Sequence, residues 1–251
     1  MSIFGKRFFA GTRERAAELI CERARDDDGG YVCLCNVHVL MEADKDPGVA
    51  EALERAWLVL PDGAPIAWLQ RRVRIPSERV AGPDLFTAVL DAGRRQQLRH
   101  YFFGSSDDVL SRLEQTVRER YPDILLAGKA APPRADVGDL GGEWINRIRS
   151  AKPDIVWCGL GAPKQELWMR EYGVLLRPAI VVGVGAAFDF VSGTKGRAPR
   201  WMQSAGLEWV HRVSSEPRRL FWRYALTNSR FMLRVRRAHV TLIAPSSSGT
   251  P

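Results

Sequence analysis

The chain has 251 residues, 45% of them apolar, with a formal net charge of +8. That length gives one large domain, or one domain with an appendage, with core enough to bury roughly 70% of the unfolded surface. No run of about 18 apolar residues exists to cross a bilayer, and the N-terminus MSIFGKRFFAGTRERAA lacks a signal peptide's apolar core and cleavage site.

In chain order, Thr12–Arg25 reads as an amphipathic helix. Tyr31–Cys35 is an apolar strand ending at Asn36, and a helix follows over Val37–Met41. Asp46–Pro47–Gly48 reads as a turn, Val49–Ala56 as a helix and Trp57–Leu60 as a short buried strand stopped by Pro61–Asp62–Gly63. A helix over Ala64–Arg72 precedes the loop Arg79–Asp84, and another helix covers Leu85–Gln97. Strand His100–Phe103, helix Asp108–Tyr121 and strand Ile124–Ala127 come next. Gly128–Gly142, rich in Gly, Pro and Ala, is expected to be a long mobile loop before helix Trp144–Ala151.

Ile155–Cys158 and Ile180–Val184 run apolar without alternation, as strands covered on both faces do. Strands alternating with helices predict an α/β fold. We expect a Rossmann-like, mainly parallel sheet with helices on both faces. In such sheets ligands bind outside the carboxyl ends of the strands, so the loops after these strands are the place to look for a site.

The basic charge is concentrated at the end of the chain. Residues 211–251 carry eight Arg and one Glu, which leaves about +1 for the first 210 residues. From Ser215 onward the sequence fits one helix, with Pro217 in its first turn. Arg219, Arg223, Arg230, Arg234 and Arg237 form a narrow stripe, and Phe221, Ala225, Met232 and Val235 lie opposite. Such a segment suits phosphate groups or an anionic membrane surface, and a solvated surface helix is the alternative. The expected layout is a domain over 1–210, a basic amphipathic appendage over 211–244 and a disordered tail over 245–251.

Cys21, Cys33, Cys35 and Cys158 have no zinc-finger or CxxC spacing and are expected to be buried free thiols. Asp62 and Asn36 each follow a strand. The carboxylate could accept a proton from a substrate hydroxyl and the amide could bond a sugar, although a plain turn and a helix cap are the simpler readings. GLGAPKQE places Gly161, Lys164, Gln165 and Glu166 at a helix start suited to phosphate. Asp189 and Arg197, like Arg79 and Asp84, offer both charge signs within one loop. GVGAAFDF carries part of a dinucleotide fingerprint, but Phe188 stands where the third glycine belongs. Asp44–Lys45–Asp46 has the acid–x–acid form of a metal-holding motif, yet it lies away from any expected strand end and reads as a solvated turn.

Six segments occur together: CNVHVLMEAD, LPDG, ERVAGPDL, PDIVWCGLGAPKQELW, VGVGAAFDFVSGTKGRAPRWMQSAGLEWVHR and SEPRRLFWRY. In this order they resemble the WecG/TagA/CpsF family of bacterial glycosyltransferases, over Val32 to Tyr224. The resemblance implies an inverting transferase that needs no essential metal or other cofactor. It would move a hexuronate or N-acetylhexosamine from a UDP-sugar to a polyprenyl-diphosphate-linked saccharide during surface polysaccharide synthesis. It also implies a cytoplasmic enzyme held peripherally at the inner membrane face, admits self-association of the core, and gives no role to nucleic acid.

By the same resemblance Asp62 is the general base. Donor binding is expected from Asn36, Arg79, Gly82, Asp84, Gly161, Gln165, Glu166, Gly185, Asp189 and Arg197. The acceptor diphosphate and the membrane surface fall to Arg212, Arg218, Arg219 and Arg223. Leu34 stands where the family often has Thr. Two rival readings stay open on the residues alone: a nucleotide-dependent oxidoreductase, from GVGAAF, and a non-catalytic binder of anionic surfaces, from the arginine helix.

Overall fold

The central strand is β3 (Gly30–Cys35), whose residues after Gly30 are all buried. In the computed structural model, which describes residues 2–72, 77–215 and 227–235, it lies between β4 (Leu58–Pro61) and β8 (Ile180–Gly183). The sheet continues through β7 (Ile155–Gly159) and β5 (Arg99–Gly104) to β6 (Leu125–Ala130). The order is β4-β3-β8-β7-β5-β6, and every pairing is parallel. A parallel sheet needs a crossover for each connection, so helices cover both faces.

Successive residues of the strands go to opposite faces. Tyr31, Cys33, Cys35, Tyr101, Phe103, Val156, Cys158 and Val181 join one core. Val32, Leu34, Phe102, Ile155, Trp157, Ile180 and Val182 join the other. The first core is closed by α2 (Val37–Glu42), α3 (Pro47–Arg55), α4 (Ala64–Arg72), α7 (Gly142–Ser150) and α8 (Lys164–Tyr172). The second is closed by α1 (Arg13–Arg25), α5 (Gly82–Arg95), α6 (Asp107–Arg120) and α9 (Ala187–Val191). Phe86 meets the Trp157 ring edge-on, with centroids 4.6 Å apart. Each large side chain buried this way contributes about 1.5–3 kcal/mol.

The expected α/β architecture is the one observed, and the differences from the expected elements have local causes. Asp46–Pro47–Gly48 is no free turn. The Asp46 carboxylate accepts from Gly48 N at 2.7 Å and Pro47 opens α3, because proline at a first helical position loses no hydrogen bond. For the same reason α5 begins at Gly82–Pro83, three residues before Leu85. The glycine-rich stretch 128–142 is structured. Gly128–Ala130 finish β6, Gly138–Leu140 form a 3-10 turn, and buried Leu140 accepts from Trp168 Nε1 at 2.8 Å. A small antiparallel pair, β1 (Ser2–Ile3) with β2 (Lys6–Arg7), is too short to carry a periodic signal.

After α9 come α10 (Arg200–Ser204) and α11 (Glu208–Ser215). Of the expected arginine helix, the described part is the helical segment 227–235; Arg218, Arg219, Arg223, Arg237, Phe221 and Ala225 lie outside the described residues. Its buried face is Thr227 and Phe231, with Val235 packed beside them, whereas Met232 is exposed. The expected apolar side is thereby rotated, because the contact is made with the N-terminal pair: Phe231 meets Phe4 edge-on at 6.0 Å. Arg234 lies over the Phe4 ring and pairs with Asp44, so within an exposed turn Asp46 caps one helix and Asp44 pairs with another.

Candidate active site

A cleft of about 760 Å³ opens at the carboxyl ends of the strands. Its floor and walls come from Leu34 of β3 and Asn36 just after it, from the residues that follow β4 (Asp62) and β5 (Ser105, Ser106), from the end of β7 and its loop (Gly159 to Ala162), and from the turn after β8 with the start of α9 (Val184 to Ala187). Pro132, Pro133 and Arg134, beyond β6, border it as well. Its size is that of pockets for medium-sized ligands.

Register explains the pairing at its centre. Cys35 lies opposite Pro61, and Asp62 N donates to Cys35 O at 3.0 Å, so the next residues, Asn36 and Asp62, emerge side by side. Asn36 caps α2: its Oδ1 accepts from Val39 N at 3.1 Å. That bond fixes the amide so that Nδ2 turns to Asp62 Oδ2, 3.4 Å away. The cap and the site are thus one device. Both residues are half-buried, leaving the carboxylate partly accessible from the cleft.

The glycine turns supply the opposite wall. Gly185, at φ +54°, donates its N–H to Gln165 Oε1 at 2.9 Å, and Gln165 N in turn donates to Gly161 O. Gly82 brings the start of α5 against the same wall; a Cβ there would lie 3.0 Å from Val184 O. Lys164 and Lys195 are cations of the lining. Lys164 Nζ holds Ala135 O, which ties the segment after β6 to the start of α8, and Lys195 Nζ stands 3.5 Å from Asp189. Glu208 and His211 of α11 close the outer edge.

The structure therefore gathers Asn36, Asp62, Gly82, Gly161, Gln165, Gly185 and Asp189 around one cavity. It sets Arg79, Asp84 and Arg197 on a neighbouring one, of about 690 Å³, beyond Pro83 and Phe190. Arg197 grips Asp84 with both terminal nitrogens, one of them at 2.7 Å from Oδ2. Glu208 joins them, 3.0 Å from Arg79 and 3.4 Å from Arg197. Burial raises the Asp84 pKa, but the Arg197 hydrogen bonds and charge, with Arg13 and Arg79, outweigh it and hold the carboxyl below its ordinary value.

Glu166 faces the interior. It is fully buried and accepts from Gln165 Nε2 at 2.9 Å. Burial pushes its pKa up to about 7 against the hydrogen bonds that it accepts. Leu34, which departs from the resemblance by replacing a threonine, presents an apolar surface to the cleft. The side chain of Arg212 lies outside what the structure describes.

Sequence reasoning missed Ser105, Ser106, His38 and the Pro132–Arg134 segment. The strand-end rule that found Asp62 also reaches Ser105. Pro132 was hidden because β6 runs three residues past its expected end. His38 sits two residues after Asn36 within α2, where helix periodicity alone gives no reason to single it out. Among the described residues no group of three or more His, Cys, Asp or Glu is placed to hold a metal ion.

The sequence model of the glycosyl transferase WecG/TagA/CpsF family matches residues 1–244. The chain is also similar to an N-acetylglucosaminyldiphosphoundecaprenol N-acetyl-beta-D-mannosaminyltransferase of Bacillus spizizenii, with 30% identity over 82% of this chain and 79% of the relative. The Bacillus subtilis protein of the same description is 30% identical over the same shares. With the sheet, the strand-end cleft and its paired Asn36 and Asp62 in place, these matches show that the chain belongs to the WecG/TagA/CpsF family of glycosyltransferases.

Proposed function

We propose that this transferase moves a hexosyl group, of the N-acetylhexosamine or hexuronate type, from a UDP-sugar to a polyprenyl-diphosphate-linked saccharide with inversion at the anomeric carbon. The observation that carries the reading is the half-buried Asp62 carboxylate beside the Asn36 amide, across from the glycine turns at 159–161 and 185. The relatives' descriptions, which name a lipid-diphosphate acceptor and an N-acetylhexosaminyl group, support it.

In this mechanism Asp62 takes the proton of an acceptor hydroxyl. The oxygen forms its bond to the anomeric carbon from the face opposite the nucleotide while the carbon–oxygen bond to UDP breaks, and UDP leaves with the electron pair. Base catalysis of this kind is worth about 10²–10⁴-fold. The charge that grows on the diphosphate needs fixed donors. Lys164 and Lys195, both in the cleft lining, take that role. Gly82, Gly161, Gly185, Gln165 and Asp189 shape the donor site, and Arg79, Asp84 and Arg197 act on it through Glu208. No step calls for a metal.

Arg212, Arg218, Arg219 and Arg223 are assigned to the acceptor diphosphate and the anionic membrane surface. The exposed Trp201 on α10, Leu207 just before α11, and Trp209 and Val210 on α11 support such docking, because indole rings with arginines suit the membrane interface. No described helix is long and apolar enough to cross a membrane. The test is Asp62→Asn with a panel of UDP-sugars and a lipid-diphosphate acceptor. A fall in turnover of at least 100-fold with UDP binding intact is expected, and turnover near wild type would remove Asp62 from the mechanism.

A further inference from the structure

Behind the cleft wall lies a buried carboxylate that the proposed chemistry leaves unused. Glu166 is fully buried at the start of α8. Its Oε1 accepts from Gln165 Nε2 at 2.9 Å, and Gln165 Oε1 accepts from Gly185 N at 2.9 Å. Gly183 makes the passage possible: a Cβ there would stand 3.2 Å from Gln165 Nε2 and closer still to Met169. The other oxygen, Oε2, has no hydrogen-bond partner.

An amide has two chemically different ends, and a carboxylate only accepts. Glu166 therefore forces the NH₂ of Gln165 inward, and the amide oxygen is left to face the Gly185 N–H. If the amide turned over, its NH₂ would confront that N–H, two donors face to face, and the turn would lose its partner. We infer that Glu166 is a positioning residue for donor binding: through Gln165 it sets the Gly185 turn that walls the cleft. This rests on the reading of the cleft as the donor site.

The groups facing Glu166 do not compete for the role. Cys33 and Cys35 on β3 and Cys158 on β7 lie close enough to feel its charge, and burial pushes all three thiols up, so they stay neutral. Of the cations on its own helix, Lys164 reaches outward to Ala135 O and Arg170 pairs with Glu51 and Glu171. Once protonated, Glu166 can donate as well as accept and no longer dictates the amide's orientation. Its raised pKa, about 7, puts that change within the working range of an enzyme assay.

The experiment measures donor KM and kcat from pH 5.5 to 8 for the wild type, Glu166→Gln, Gln165→Ala and the double variant, with UDP binding by calorimetry. In the wild type, donor KM falls up to about tenfold as pH rises through 7, the size of one hydrogen bond of about 1.4 kcal/mol. In Glu166→Gln and in Gln165→Ala that dependence is flat while kcat at saturating donor changes less, and the double variant equals Gln165→Ala. A wild-type KM profile in Glu166→Gln overturns the inference, as do additive effects in the double variant. If Glu166→Gln does not fold, a pH-dependent KM in Gln165→Ala overturns it by itself. A wild type that binds no UDP or UDP-sugar overturns the donor-site reading, and the inference falls with it.

Discussion

Two buried groups set opposite slopes on stability against pH, and replacing either should uncover the other. Glu166 is fully buried with its pKa raised from 4.5 to about 7. Its contribution is whole below 4.5 and is lost as pH rises through 7, because the folded state must then bury a charge. His100 is fully buried with its pKa lowered from 6.5 to about 3. Its contribution is whole above 6.5 and is lost as pH falls toward 3, since the unfolded chain takes up the proton first. Between pH 4.5 and 6.5 each group gives a slope of at most about 1.4 kcal/mol per pH unit, with opposite signs.

The wild type should therefore show little net slope from this pair across that window. In Glu166→Gln the His100 slope stands alone, and acidification from pH 6.5 to 4.5 should remove up to about 2.7 kcal/mol more than it does from the wild type. His100→Gln should do the reverse. Its amide oxygen still offers an acceptor to Trp157 Nε1, which donates to His100 Nδ1 at 3.1 Å, so the packing survives while the titration goes. Urea unfolding at half-unit pH steps measures this as the variant minus the wild type, in which all other groups drop out. Parallel curves for Glu166→Gln and the wild type would refute the argument.

Three further outcomes follow from the packing. Asp84→Asn should lower stability by about 1–3 kcal/mol, since it removes the bidentate carboxylate from a half-buried Arg197 and leaves it the longer contact to Glu208, and a thermal melt should fall by several degrees. Gly104→Ala should cost roughly 2–4 kcal/mol in urea unfolding: Gly104 sits at φ +116° and a Cβ there would lie 2.6 Å from the Gly159 carbonyl carbon, prising apart the ends of β5 and β7. A chain ending after Val210 should no longer sediment with anionic vesicles and should act poorly on the lipid-linked acceptor. Truncation also uncovers Phe4 where Phe231 had packed, so a modest loss of stability comes with it.

The sheet was legible because its middle strands are buried on both faces. Ile155–Cys158 and Ile180–Val184 run apolar without alternation, as strands covered on both faces do, and the observed bounds differ by one residue each. Asp62 and Asn36 were legible for the same reason: residues just past such strands must face the crevice. The strand order was not, because periodicity says which residues are buried and nothing about which strand neighbours which. The fate of the arginines was hidden too. Arg197 and Asp84 lie 113 positions apart, and whether such a pair meets a ligand or each other depends on contacts that local sequence does not encode.

The strand order also accounts for the place of the cleft. From β3 the chain steps outward to β4, crosses to β5 and β6 on the far side, then returns through β7 and β8 to lie against β3. The loops after β3 and β8 leave to opposite faces, α2 packing into one core and α9 into the other, and a crevice opens between adjacent strand ends. Asn36 stands on one lip of it and Gly185 on the other. Any polar group placed at these two ends shares one cavity without a dedicated insertion, and Asp62 joins by the β3–β4 register. Gln165 reaches Gly185 because β7 is the next strand over and Gly183 leaves room for its side chain. The chemistry-bearing residues thus follow from two features of the sheet: where its winding reverses, and the glycine at the end of β8.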